Sequence, residues 1–225
     1  MQKNHKIELV LFDLDGTLID TAPDFILSLN NVLKKNNKEQ LDGNYIRSHV
    51  SDGSAKLTEI GFKLSIDDPK FLKHRNELLD EYKKNLTNKS NLFEGVFELI
   101  ESLNSKNIPF GIVTNKPLKY AKPVVEHFKI LNNSKVLICP DHLSAVKPNP
   151  EGILLACSKL NINPINCIYI GDHPKDIEAG KNAGTKTIGC EYGYSLLKKS
   201  DYDETPLVKN AIEIILSLIH ISEPT

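Results

Sequence analysis

Short apolar runs, each closed by polar residues, recur along the chain and set its rhythm. Residues 8–13 (ELVLFD) are apolar at successive rather than alternate positions and stop at a turn that contains Gly16. Such a run suits a strand buried on both faces. Residues 109–115 (PFGIVTN), 135–139 (KVLIC) and 166–172 (NCIYIGD) repeat the pattern, and 186–190 (KTIGC) adds a fifth strand. Between them, helical patterns cover 96–106, 118–128, 151–160 and 177–183. This alternation predicts an α/β fold with a parallel, doubly wound sheet, whose ligands collect at the carboxyl ends of the strands. An apolar stretch over 208–221 predicts a closing helix.

Between residues 20 and 92 the strand signal disappears. Helical patterns run over 23–35, 44–62 and 69–86, with Asp20 and Thr21 ahead of Pro23 as a helix start. The expected organisation is an α/β core of residues 1–19 and 92–225, interrupted by a helical insertion at 20–91. Gly95 lies where the chain must turn back into the core. An insertion placed over strand ends acts as a cap on an active site. The final HISEPT shows no structural logic and resembles translated sequencing-adapter text.

Composition narrows the class of function. The 225 residues are 40% hydrophobic and 25% charged, as in an ordinary globular protein. With 28 basic and 29 acidic side chains the net charge is −1, so nothing draws the whole surface to nucleic acid or anionic lipid. Any anionic substrate must be attracted locally. The polar MQKNHK start, and the interruption of the following apolar run by Asp13 and Asp15, predict neither signal peptide nor membrane anchor, and hence a cytoplasmic protein. Cys139, Cys157, Cys167 and Cys190 follow no metal-binding spacing and read as reduced, buried thiols.

The candidate chemistry sits at the predicted strand ends. DLDGT, residues 13–17, sets two carboxylates two positions apart in a Gly-containing turn, so one can act as nucleophile and the other as acid or base. Thr114 and Asn115 end the second strand with groups that can hold phosphate oxygens, although a Thr there also caps helices. Lys147, before Pro148, reads alone as a solvated surface lysine. Facing several carboxylates, it becomes the cation that offsets their repulsion and neutralises a transferring phosphoryl group. The fourth strand ends in GDHPKD, with Asp172 and Asp176. Asp13, Asp15, Asp172 and Asp176 at one sheet edge cannot all ionise without a cation. Hard oxygen ligands without a His or Cys cluster point to Mg²⁺, with Asp13, Asp172 and the backbone carbonyl of Asp15 preferred, and Asp176 as a ligand or an orienting group.

DLDGT, VTN, Lys147 and GDHPKD, in this order, resemble the four motifs of the haloacid dehalogenase superfamily over the whole chain. The resemblance implies a Rossmann-like core with Asp13 as nucleophile, Asp15 as general acid/base, Thr114 and Lys147 as phosphate and charge stabilisers, and Asp172 as metal ligand. The insertion resembles the cap of the phosphoglycolate-phosphatase branch. DTAPDF, LFEGV, GIVTNKP, ICPDH, KPNPEGILLAC and YGY resemble the phosphatases of N-acetylmuramic acid 6-phosphate in peptidoglycan recycling. Two departures stand out: His173 where many relatives carry an acid, and Asn149 where Asp is frequent. In the insertion Arg47, Ser51 and Gly53 resemble the branch's specificity loop, with Arg47 suited to a substrate carboxylate. Lys116, Lys119 and His142 read as solvated.

The expected function is therefore hydrolysis of a small carboxylated phosphate ester, N-acetylmuramic acid 6-phosphate ahead of 2-phosphoglycolate, by a monomer or weak homodimer. A phosphosugar mutase of the same superfamily is the main alternative, since it shares Asp13, Asp15 and the metal. A phospho-accepting receiver has its acceptor at the third strand and no long insertion. A dehalogenase uses no Mg²⁺ and has no need of Asp15.

Overall fold

The computed structural model describes residues 6–195 and 205–222. The chain opens with β1 (Leu9–Phe12) and β2 (Ile19–Asp20), then runs through α1 (Ala22–Lys35), α2 (Gly43–Arg47), α3 (Gly53–Phe62) and α4 (Phe71–Asn85) to β3 (Asn91–Leu92). From there α5 (Val96–Ser105), β4 (Phe110–Val113), α6 (Leu118–His127), β5 (Leu137–Ile138), α7 (Glu151–Lys159) and β6 (Cys167–Gly171) follow. The chain closes with α8 (Pro174–Asn182), β7 (Lys186–Cys190), β8 (Leu207–Val208) and α9 (Ala211–Ser222). Two compact units result: one comprises the described residues of Met1–Ile19 and Leu92–Thr225, the other Asp20–Asn91. No helix among the described residues is long and apolar enough to cross a membrane.

The first unit is built on a six-stranded sheet in the order β5-β4-β1-β6-β7-β8, parallel at each of its pairings. Every residue of β1, β4 and β6 is buried, which is why these strands read as unbroken apolar runs. Leu9, Leu11, Val113 and Tyr169 pack with Ile153, Ala156 and Ala179 of the flanking helices into one core. From β1 the chain winds outward to β5, then crosses back to β6 and winds the other way. The topological switch point therefore lies between β1 and β6, where an open α/β sheet forms its ligand crevice. Register ties the two strands together, with Phe12 opposite Ile170 and the Asp13 amide donating to the Ile170 carbonyl at 2.8 Å.

The ends of several elements differ from the sequence expectation, each for a local reason. Val208 belongs to β8, pairing with Cys190, rather than to the closing helix. That helix starts at Ala211 because Asn210 accepts from the Glu213 amide while Glu213 accepts from the Lys209 amide, a reciprocal cap. The last three residues of HISEPT lie outside the described residues. Helix α8 begins three residues earlier than its apolar pattern: His173 caps it, Pro174 fits the first turn, and Asp176 accepts from the His173 amide at 3.0 Å. The single helix expected over 44–62 breaks into α2, a 3₁₀ turn at Val50–Asp52, and α3. Gly53, at φ +84°, takes a left-handed backbone that interrupts the helical path.

In the helical unit, α1 packs on α4 through Phe25 and Tyr82, stacked with ring centroids 3.8 Å apart, and Leu29, Leu33 and Leu78 are fully buried in the same unit. Gly61 on α3 lies against α1, where a Cβ would fall 2.9 Å from Leu29. Asp24, fully buried in the first turn of α1, accepts from the Lys89 amide at 2.7 Å and the Ser90 hydroxyl at 2.5 Å. This contact ties the end of the unit to its beginning.

Candidate active site

Three strand ends and one loop converge on Asp13. It leaves β1 only 7% exposed, and its Oδ1 accepts from the Lys147 ammonium at 2.6 Å. Lys147 is buried as well, and its ammonium also lies 2.7 Å from Asp176 Oδ1, 2.9 Å from the Tyr169 hydroxyl and 3.1 Å from the Val113 carbonyl, four neighbours for its three N–H groups. The loop that carries it is held by Asn115, whose amide accepts from the Lys147 N–H and donates to the Lys147 carbonyl, both at 3.1 Å. Asn115, expected at the phosphate, spends its side chain on locating the lysine.

Asp172 ends β6 fully buried. Its Oδ2 accepts from the Tyr194 amide at 2.9 Å, and Thr17 donates to Oδ1 at 3.4 Å. Glycine is required on both sides of it. A Cβ at Gly193 would lie 2.3 Å from the Asp172 Cβ, and one at Gly16, where φ is +89°, would lie 2.4 Å from its Oδ2. The YGY segment thus supports a carboxylate and braces the DLDGT turn, since the Tyr192 hydroxyl donates to the Thr17 carbonyl at 2.9 Å. In the sequence YGY carried only a resemblance, with no hint of this role.

Electrostatics set these acids apart. Burial raises the Asp13 carboxyl to about 6, against the pull of Lys147 and with the help of Asp176. Burial, reinforced by Asp176 and Asp13, holds Asp172 well above the usual carboxylate range. Burial alone would lower the Lys147 ammonium, but Asp13 and Asp176 outweigh it and hold the group well above its ordinary value. One ligand oxygen each from Asp13, Asp172 and Asp176 lie within 4.8 Å of one another. A divalent cation fits this arrangement: the donors are hard carboxylates, and their mutual repulsion is what a cation relieves. Asp176 is otherwise committed, accepting from Lys147, Tyr169 and the His173 amide.

Thr114 is 2% exposed and its hydroxyl accepts from the Lys116 amide at 3.2 Å, so it shapes the turn after β4. Lys116 departs from expectation. Its side chain is 5% rather than largely exposed, and its ammonium meets both oxygens of Asp15 at 2.9 and 3.2 Å. Lys119 and His142 are exposed as expected. All four cysteines are free and buried, and burial pushes the Cys139 thiol up to about 12. In the helical unit, Arg47 Nη1 reaches both Asp20 oxygens at 2.9 Å. Among the described residues the buried Ser51 hydroxyl has no hydrogen-bond partner, and nothing lies within 4 Å of where a Cβ on Gly53 would stand.

Known proteins share this arrangement of chain. The family model of haloacid dehalogenase-like hydrolases matches residues 10–190. The chain is 40% identical over 192 residues to the N-acetylmuramic acid 6-phosphate phosphatase of Pseudomonas aeruginosa, covering 85% of each. It is 34% identical over 194 residues to the phosphoglycolate phosphatase of Colwellia psychrerythraea, covering 84% of this chain and 86% of that one. The crystal structure of a predicted phosphoglycolate phosphatase from Haemophilus somnus superposes with a TM-score of 0.84 at 26% identity, over 96% of this chain and 99% of the other. With the motifs at the strand ends and the match spanning most of its length, the chain belongs to the haloacid dehalogenase-like hydrolases.

Proposed function

We propose that the protein is a Mg²⁺-dependent phosphomonoesterase that works through an aspartyl-phosphate on Asp13, with N-acetylmuramic acid 6-phosphate as substrate. The observation that carries this reading is the Asp13 carboxylate itself, buried at the end of β1, 2.6 Å from an ammonium and beside two further acids.

In the first half-reaction an Asp13 oxygen attacks phosphorus and the ester P–O bond breaks. The departing alkoxide takes a proton from the Asp15 carboxyl. In the second, Asp15 takes a proton from water as that water's oxygen attacks phosphorus. The bond between Asp13 and phosphorus breaks, and inorganic phosphate leaves. Lys147 orients Asp13 and offsets the negative charge that accumulates on the phosphoryl oxygens. The Thr114 hydroxyl, at the end of β4, is the second phosphate-orienting group. Asp13, Asp172 and the backbone carbonyl of Asp15 would hold Mg²⁺, which supplies positive charge to the phosphoryl group. Asp176 orients Lys147 and caps α8.

Substrate choice rests on the relatives: the muramic acid phosphatase is the more similar, at 40% identity against 34% for the phosphoglycolate phosphatase. In the helical unit Arg47, Ser51 and Gly53 are the specificity candidates. The Arg47 guanidinium already engages one carboxylate, that of Asp20, and a carboxylated substrate competes for it. Phosphate release from N-acetylmuramic acid 6-phosphate, 2-phosphoglycolate and glucose 1-phosphate, with and without Mg²⁺, tests the proposal. The expected result is the highest kcat/KM on the muramic ester and none without metal. Metal-independent turnover contradicts it, and net conversion of glucose 1-phosphate to the 6-phosphate would assign a mutase instead.

A further inference from the structure

We propose that Lys116 is a positioning residue for Asp15, fixing the carboxylate that exchanges protons with the leaving group; the inference rests on the phosphatase reading above. Two buried ammonium groups serve the strand-end acids, and they divide the work. Lys147 engages Asp13 and Asp176, whereas Lys116 engages Asp15. A general acid must lie within hydrogen-bond reach of the proton's destination, so the direction of its carboxylate matters as much as its acidity.

The geometry around Lys116 suits that task. Its ammonium meets both oxygens of Asp15, which fixes where the carboxylate group points rather than holding one of its oxygens alone. The lysine is itself fixed at its base, because its amide donates to the buried Thr114 hydroxyl. Its stem is 95% covered, since only 5% of the side chain is exposed, so the ammonium has little freedom to follow a wandering partner. Asp15 is also restrained from its own side of the sheet by a parallel bridge to Ile19 and by the Gly16 amide, which donates to the Ile19 carbonyl at 3.0 Å. Taking an ammonium out of water is costly unless it is well paired. Balancing the net charge of the acid cluster needs only a cation nearby; it does not need that cation to meet both oxygens of one carboxylate. Burial and two-point contact are what positioning requires.

The test compares two leaving groups on one preparation. An alkyl ester, the best substrate of the panel above, needs its alkoxide protonated as it departs, whereas p-nitrophenyl phosphate releases a stabilised anion. The quantity to read is kcat/KM, which covers steps through release of the alcohol. In Lys116→Met the alkyl ester is expected to lose about 10²-fold and p-nitrophenyl phosphate less than about tenfold, in line with the size of general acid catalysis. Asp15→Asn should show the same discrimination, Lys116→Met should add little to it in the double variant, and Lys116→Arg should restore part of the alkyl activity. The ratio of the two substrates does not depend on the fraction of folded enzyme, so a destabilised variant still gives an answer. Equal losses on both substrates, or none on either, would overturn the proposal. Full turnover by Asp13→Asn would instead overturn the phosphatase mechanism, whatever Lys116 does.

Discussion

Lys147 in the sheet-built unit and Lys35 in the helical unit each meet a carboxylate at 2.6–2.7 Å, yet the Lys147 side chain is 6% exposed and that of Lys35 is 61% exposed. In the helical unit Glu81 is 8% exposed, much as Asp13 is at 7%, but its lysine stays in water, beside an interface where Phe25 stacks on Tyr82. The sheet-built unit instead buries Asp13, Asp172, Asp176 and Lys147 together. Solvated pairs contribute little to stability and ask little of the fold. Buried ones are costly to assemble and leave large penalties when a partner is removed. The contrast identifies the strand ends as a place where stability is given up for chemistry.

The largest effect on stability is expected from removing the buried cation. Lys147→Met leaves the Asp13 and Asp176 charges uncompensated and should destabilise the metal-free protein by about 3–5 kcal/mol in urea unfolding. A change below about 1 kcal/mol, the ceiling for solvated pairs, would mean that the cluster is solvated and the contrast false.

The acids of the two units should also respond to pH in opposite senses. The Asp13 carboxyl sits at about 6 in the fold, above its unfolded value, so the native state binds that proton more tightly. Its contribution is therefore greatest at low pH and is lost as pH rises from about 4 through 6. Glu81, lowered by its hydrogen bond to Lys35, stabilises the native state above the usual glutamate range, and that contribution disappears on acidification. The Asp13→Asn profile should fall less steeply between pH 4 and 6, with Asp172 supplying the remaining fall, and the Glu81→Gln profile should lose its acid limb. Mg²⁺ should shrink the loss between pH 4 and 6, because metal and proton compete for the same carboxylates. An Asp13→Asn profile that keeps the same fall would contradict the assignment.

The smallest effect belongs to Lys35→Met, expected to cost less than about 1 kcal/mol despite its short distance to Glu81. A loss comparable to that of Lys147→Met would erase the comparison.

The difference between local and distant causes also decides what the sequence revealed. The buried strands and the acids that end them were legible because each acid directly follows its own apolar run, as Asp13 follows β1 and Asp172 follows β6. Lys147 needed the acids as context but no knowledge of its loop. Lys116 could not be read this way. A lysine two residues beyond a strand looks solvated, and its burial depends on Asp15, 101 positions earlier in the chain. Asn115 likewise reads as a phosphate ligand until the Lys147 backbone, 32 residues on, is seen to occupy it. Gly193 carried no readable signal, because its need to be glycine comes from the Asp172 side chain packed against it. The break before α3 and the start of α9 depend on turn and cap geometry that apolar periodicity does not encode.

The proposed mechanism requires that Asp13 become covalently phosphorylated. Its most direct test is acid quenching of the enzyme during steady-state turnover with Mg²⁺, followed by peptide mass spectrometry. One phosphoryl group is expected on the peptide containing Asp13, absent in Asp13→Asn and more abundant in Asp15→Asn with p-nitrophenyl phosphate, whose departure needs no proton while hydrolysis of the intermediate still does. Turnover by the wild-type protein with no phosphoryl group on that peptide, or with undiminished rate in Asp13→Asn, would contradict it.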